Sequence, residues 1–206
     1  MKRFLFLSTC LMAFANCVNA QENICFSSRI KTLQVKVNGA WGEPSVMLLR
    51  SGHRVDISFD DLQPNYQRYT YTITHCNANW EQSELLTSEY MTGFNELRID
   101  NYEPAIGTEM NYCHYMLSLP NNETQLLVSG NYRVDIFEDG EQEPIAQACF
   151  SVIEPHVGVD ISVSGNTDID TYEEHQQVSF AVNYSGYQVN NAVGEFKYIV
   201  TQNRRW

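Results

Sequence analysis

The chain has 206 residues with 13 basic and 25 acidic side chains, a formal net charge of −12 and 43% hydrophobic residues. That acidity excludes an electrostatic grip on nucleic acid or anionic lipid, because phosphate-rich surfaces are repelled. Protein, sugar or cation partners remain.

Residues 1–20 read as a cleavable secretory signal. Lys2 and Arg3 form the basic start, Phe4 to Ala15 is apolar except for Ser8 and Thr9, and Val18-Asn19-Ala20 supplies a small-residue cleavage site. Gln21 is then the first mature residue. Lipid attachment at Cys17 is the weaker alternative, since Asn16 stands where Gly, Ala or Ser would be wanted. No later stretch approaches the roughly 18 apolar residues of a membrane-spanning helix, so the mature chain is expected to lack a transmembrane segment of its own. Without Lys2 and Arg3 it carries 11 basic against 25 acidic residues, a net −14.

After the leader the dominant period is two. Leu33, Val35 and Val37 alternate with Gln34 and Lys36, and Val55, Ile57 and Phe59 with Asp56 and Ser58. Ser45 to Leu49, Arg68 to His75, Tyr112 to Leu119, Tyr132 to Ile136 and Ile145 to Ile153 complete about seven predicted strands. Asn38-Gly39, Ser51-Gly52, Gln63-Pro64-Asn65, Pro120-Asn121-Asn122, Ser129-Gly130-Asn131 and Asp139-Gly140 punctuate them, the last being the clearest hairpin signal. The pattern predicts an all-β immunoglobulin-like or fibronectin-like β-sandwich over residues 21–154.

From Asn77 to Glu109 no clean strand is visible, although the stretch is rich in aromatic residues. Such a segment either packs over the sandwich or presents a recognition surface. Trp80, Tyr90, Phe94 and Tyr102 are its candidate partner-binding residues. Glu154-Pro155 reads as a domain joint. Runs at Val157–Val163, Val178–Val182 and Phe196–Val200 then predict a second β-domain over 155–206, expected to be truncated and to leave a sheet face uncovered.

Cys25, Cys76, Cys113 and Cys149 follow the leader, and in an oxidising compartment they allow three pairings. Parity puts Cys76 on the threonine face of its strand and Cys113 on the apolar face of its own, against a Cys76–Cys113 bridge. His75-Cys76 and Cys113-His114 offer zinc-ligating types, but strand neighbours point to opposite faces and no Cys-x-x-Cys spacing occurs. Asp60-Asp61 and Glu138-Asp139 lack the regular spacing of a calcium loop. No nucleophile elbow, phosphate-cradling glycine loop or His-Glu-x-x-His is present. The expectation is a non-enzymatic protein with no catalytic residues, metal, cofactor or small-molecule substrate. An exported carbohydrate-binding module and a surface adhesin are the alternatives of other classes.

Several strings go further: Tyr71–Trp80, Tyr90–Glu96, Tyr112–Tyr115, Ser129–Val134, Phe137–Gly140 and the terminal Gln202–Trp206. Together and in order they resemble the N-terminal domain of the type IX secretion system plug protein family. Cys113 departs from the pattern, where a threonine is expected. The resemblance implies a periplasmic protein, held at the outer membrane by the translocon barrel protein, that closes the pore by steric occlusion. It brings no catalytic residues and no contact residues.

Overall fold

The computed structural model describes residues 23–200 apart from Pro64, Asp170, Tyr172, Glu173 and Ile199. The predicted leader and the Gln202–Trp206 string lie outside the described residues. Strands are numbered in chain order. One sheet runs β1 (Ile24–Cys25), β10 (Pro144–Ile153), β9 (Gly130–Glu138), β5 (Tyr69–Cys76), β6 (Leu97–Arg98), and β3 (Val46–Leu48) adds parallel to the end of β10. The other runs β2 (Ile30–Val37), β4 (Val55–Asp61), β8 (Cys113–Leu119), β7 (Asn101–Pro104). The expected all-β sandwich is what forms, from alternating strands whose apolar sides meet in one core.

Register explains the core. In the first sheet Tyr71, Ile136 and Ala146 lie side by side, as do Ile73, Val134 and Ala148. In the second, Ile57 faces Leu117 and Phe59 faces Tyr115. All of these are buried. The predicted Asp139-Gly140 hairpin joins β9 to β10, with Gly140 at φ +91°. In β2 the pairing shifts between Lys31 and Gln34, with Thr32 at φ +51°. That bulge changes parity, so Ile30 packs inward together with Leu33, Val35 and Val37. Gly130 is required by packing, since a Cβ there would lie 2.1 Å from His75 Nε2.

One end of the core holds a fully buried carboxylate. Asp61 receives Tyr69 Oη–H at 2.7 Å and the Gln63 N–H at 3.2 Å, and Arg29 Nε lies 3.7 Å away. Arg29 Nη2 also donates to Glu138 at 2.6 Å and to Tyr69 Oη at 3.2 Å. Phe59, Tyr69 and Tyr115 surround this network with ring centroids 4.8–5.4 Å apart. The site ties β4 of one sheet to β5 and β9 of the other.

After Ile153 the chain enters a separate two-stranded sheet, β11 (Gly158–Ser164) and β12 (Gln177–Asn183). Val159, Ile161 and Val163 stand opposite Val182, Phe180 and Val178, so one face is apolar. The third strand expected at Phe196–Val200 is corrected: Phe196 to Tyr198 follows a short helix at Ala192–Glu195 and joins no sheet. Tyr198 packs its ring 5.3 Å from Phe180 and Phe196 packs 5.3 Å from Tyr184. These rings touch only part of the hairpin, and Val159, Ile161 and Val163 stay 60%, 65% and 58% exposed, so the apolar face is left uncovered as expected.

Two outcomes are expected. Tyr69→Phe removes a donor from a buried carboxylate and should cost about 1–3 kcal/mol in urea unfolding, whereas Tyr66→Phe, at a half-exposed ring, should change little; equal effects would remove Asp61 from the stabilising network. Burial is also the main cause holding the Tyr69, Tyr115 and Tyr132 hydroxyls protonated well above their usual range. Unfolded tyrosines ionise near pH 10. Stability should therefore be unaffected by these groups below about pH 10 and fall as pH rises beyond it, by up to about 1.4 kcal/mol per unit for each group. Denaturation midpoints between pH 8 and 11.5 measure this, and a flat profile would contradict it.

Candidate partner-binding surface

The segment after β5 is folded against the sandwich. Asn77 N–H donates to the Glu81 carbonyl at 2.8 Å and Trp80 N–H to the Asn77 carbonyl at 3.0 Å, with Trp80 at φ +64°. This tight turn lays the indole back over the outer face of the first sheet. There it forms a small buried cluster with Cys76 and Cys149, and Trp80 is only 5% exposed.

Next comes α1 (Thr87–Tyr90), entered with the Leu86 N–H donating to Glu89 Oε2 at 2.7 Å. Tyr90 points inward and is 5% exposed. Its hydroxyl donates to the Ile73 carbonyl at 2.9 Å, and its ring lies 5.7 Å from His75 and 6.2 Å from Tyr132. Asn95 then completes the strand edge. Its Oδ1 accepts from Ile73 N–H at 2.7 Å and its Nδ2 donates to Ile73 O at 2.9 Å, so a side-chain amide takes the place of a neighbouring strand.

Phe94 is different: it is 83% exposed. It follows Gly93, at φ +86°, where a Cβ would stand 2.0 Å from the Glu123 carbonyl oxygen. Only glycine permits this approach, which fixes where Phe94 leaves the body of the protein. The chain crosses from β6 to β7 through buried Ile99, placing Tyr102 on the edge of the second sheet. Tyr102 is 39% exposed and stacks on Tyr66 with centroids 4.3 Å apart.

Of the four residues expected to form one surface, Trp80 and Tyr90 are therefore corrected to interior packing, and Phe94 and Tyr102 stand on the outside. Sequence reasoning missed Leu86, Ile106 and Met110, which are 69%, 91% and 61% exposed. Their large apolar side chains sit in stretches with no period of two, and that was the available signal.

The chemistry-bearing residues do not converge. His75 Nδ1 is 2.8 Å from Ser83 Oγ and Nε2 is 3.2 Å from the Ser129 carbonyl. His114, on the other sheet, faces outward with Nδ1 2.5 Å from Asp60, while Cys113 on the same strand points into the core. Cys25, Cys76 and Cys113 carry free thiols. Burial pushes the Cys76 and Cys113 thiols up from their usual range. Cys149 receives Gln147 Nε2 at 3.8 Å. Strand β9 lies between Cys76 and Cys149, and two strand spacings, about 9.5 Å, exceed the reach of a disulfide.

The motifs of this body have a known counterpart. The model of the type 9 secretion system plug protein 1st domain matches residues 30–154. The chain belongs to that family. A crystal structure of a hypothetical protein from Parabacteroides merdae is 44% identical, with a TM-score of 0.80, over 84% of this chain and 44% of that one. The chain thus spans less than half the length of that relative. A Pseudomonas fluorescens alkylpurine DNA glycosylase bound to DNA is 14% identical over 60% of this chain and 30% of that one, with a TM-score of 0.31, too low to bear on the fold. No curated protein matches the chain. Membership of the plug family connects this chain with type IX secretion. Among the described residues no helix is long and apolar enough to cross a membrane.

The division between packed and exposed aromatics is measurable. Trp80→Ala should cost about 3–5 kcal/mol, as for other large-to-small core changes, and should open the Cys76 thiol to alkylation in the native protein. Phe94→Ala should stay within about 0.5 kcal/mol of the parent. Comparable losses from both would place Phe94 in the core and overturn the distinction.

Proposed function

We propose that this protein is a non-enzymatic component of the type IX secretion system that closes the periplasmic side of the outer-membrane translocon pore. The observation that carries the reading is the plug-domain match across residues 30–154. On this reading the protein is exported, resides in the periplasm and is held at the outer membrane by the translocon barrel protein. Its action is steric: a stiff β-sandwich occupies the pore mouth and is displaced when cargo passes.

The physical features suit that task. Two sheets sharing one core resist bending, and bonds from Asn95 to Ile73 and from Ser83 to His75 cover an edge of β5 that would otherwise recruit strands. Exposed Phe94 and the Tyr66–Tyr102 pair supply rigid aromatic anchors of the kind that dominate protein interfaces. A seal would need an interface of at least roughly 1,000 Å², so these anchors are its centre and further surface is required around them.

Affinity isolation of the tagged protein from outer membranes tests the reading. The translocon barrel should co-purify, and Phe94→Ser should reduce its recovery at least about tenfold with the melting temperature unchanged. Failure of any barrel to co-purify, with saturable binding on a glycan array, would replace the plug by the carbohydrate-binding alternative.

A further inference from the structure

A second site lies at the end of the sandwich where β3 turns into β4 and β8 leaves for β9. The first turn runs from Leu49 to Arg54. Ser51 Oγ–H donates to the Leu48 carbonyl at 2.7 Å, the His53 N–H donates to Ser51 Oγ at 3.2 Å, and Arg50 is held at φ +57°. The second turn is built on Asn121, whose Oδ1 accepts the backbone N–H groups of Glu123 and Thr124 at 2.9 and 2.8 Å. Pairing of Val55 with Leu119 sets the two turns side by side. Between them is a cavity of about 340 Å³, within the range of ligand pockets.

Its lining combines two chemistries. Arg50, His53 and Arg54 are on the wall, together with the amide side chains of Asn122 and Gln125, while Met47 and Leu126 are buried in its floor. Among the described residues, no carboxylate lines it. Among the described residues, ion pairs within 4 Å engage Arg29, Arg98 and Arg133 but neither Arg50 nor Arg54. This convergence is unusual for a chain with 25 acidic and 13 basic residues. Arg50 and Arg54 are both exposed residues that line the same cavity. An arriving carboxylate would gain two planar donors there, whereas the net negative charge elsewhere would turn it away.

We infer that this cavity is a docking site for an acidic segment of a partner protein, one that carries carboxylate side chains next to apolar ones. The carboxylates pair with Arg50 and Arg54, and the apolar neighbour covers the Met47–Leu126 floor. A free inorganic anion would satisfy the arginines and leave that floor wet, which is why a peptide is the better occupant. The site is distinct from Phe94 and Tyr102, and its existence does not depend on the plug reading.

The test uses the whole mature chain and a fluorescent peptide that alternates glutamate and leucine. Anisotropy should show saturable binding that weakens with salt, with at least a tenfold loss in the R50E/R54E variant. The K31E/R68E variant makes the same change of net charge at exposed residues outside the cavity and should bind like the parent. Thermal melts of all three proteins should coincide, and R50Q/R54Q serves as the milder variant if R50E/R54E melts lower. Inorganic phosphate at millimolar concentration should compete only weakly. Equal affinity in R50E/R54E and parent would overturn the site, as would an equal loss in K31E/R68E, which would reduce it to bulk charge. Full displacement by millimolar phosphate would make it a small-anion site and overturn the peptide occupant. Because no translocon is needed, a negative result here is separate from a failure of the barrel to co-purify.

Discussion

Asp61 is a fully buried carboxylate, and the sandwich is arranged so that its charge is met from both sheets. Removing a charged group from water costs several kcal/mol unless partners replace the solvent. Here Tyr69 Oη, the Gln63 N–H and Arg29 do so. The partners come from separate segments (the turn before β2, the loop after β4, and β5), so the network is satisfied only when these are in their native arrangement. Sliding β5 by one residue would move Tyr69 to the other face and take from Asp61 its one side-chain hydroxyl donor. Apolar burial supplies most of the stabilisation; this polar site adds a penalty to any arrangement that separates Tyr69 from Asp61.

Around that anchor, the long segment between β5 and β8 solves a second problem. β5 would be an exposed edge beyond Thr70 and Tyr71, where β6 pairs with it. Asn95 covers Ile73, the Ser83 N–H donates to the His75 carbonyl, and Gln82 bridges Cys76. The interior sides of Trp80 and Tyr90 secure this cover. Gly93 and Gly130 mark where backbone or side chains come so close that a Cβ has no room.

These constraints give the surface its character. Because the interior claims Trp80 and Tyr90, the aromatic groups left outside are held on a rigid frame, which keeps the entropic cost of binding low. The basic cavity at the β3–β4 turn belongs to the same economy of charge. Arg29, Arg98 and Arg133 pair with carboxylates of the chain, whereas Arg50 and Arg54 line a groove in an acidic protein.

Much of this was legible in the chain itself. Alternation in Val55–Phe59, Tyr69–His75 and Tyr132–Ile136 predicted strands and their buried faces, because a half-buried strand records its environment every second residue. The Asp139-Gly140 turn and the family strings were equally local. What alternation could not record is anything that depends on residues far apart. Trp80 and Phe94 are both aromatic residues in a segment without period, yet one fills a space above Cys76 and the other meets solvent. Only the path of the loop decides between them. The bulge at Thr32 and the irregular Phe196–Tyr198 stretch likewise follow from what the neighbouring strands leave open. The sequence by itself determined the sandwich, its hairpins and its family, since those rest on local patterns of polarity and turn chemistry. Tertiary structure alone decided which aromatics are surface, how Asp61 is neutralised and that Arg50 and Arg54 line one cavity with Leu126. Burial and charge pairing are properties of neighbours in space, and those neighbours are set by long-range packing.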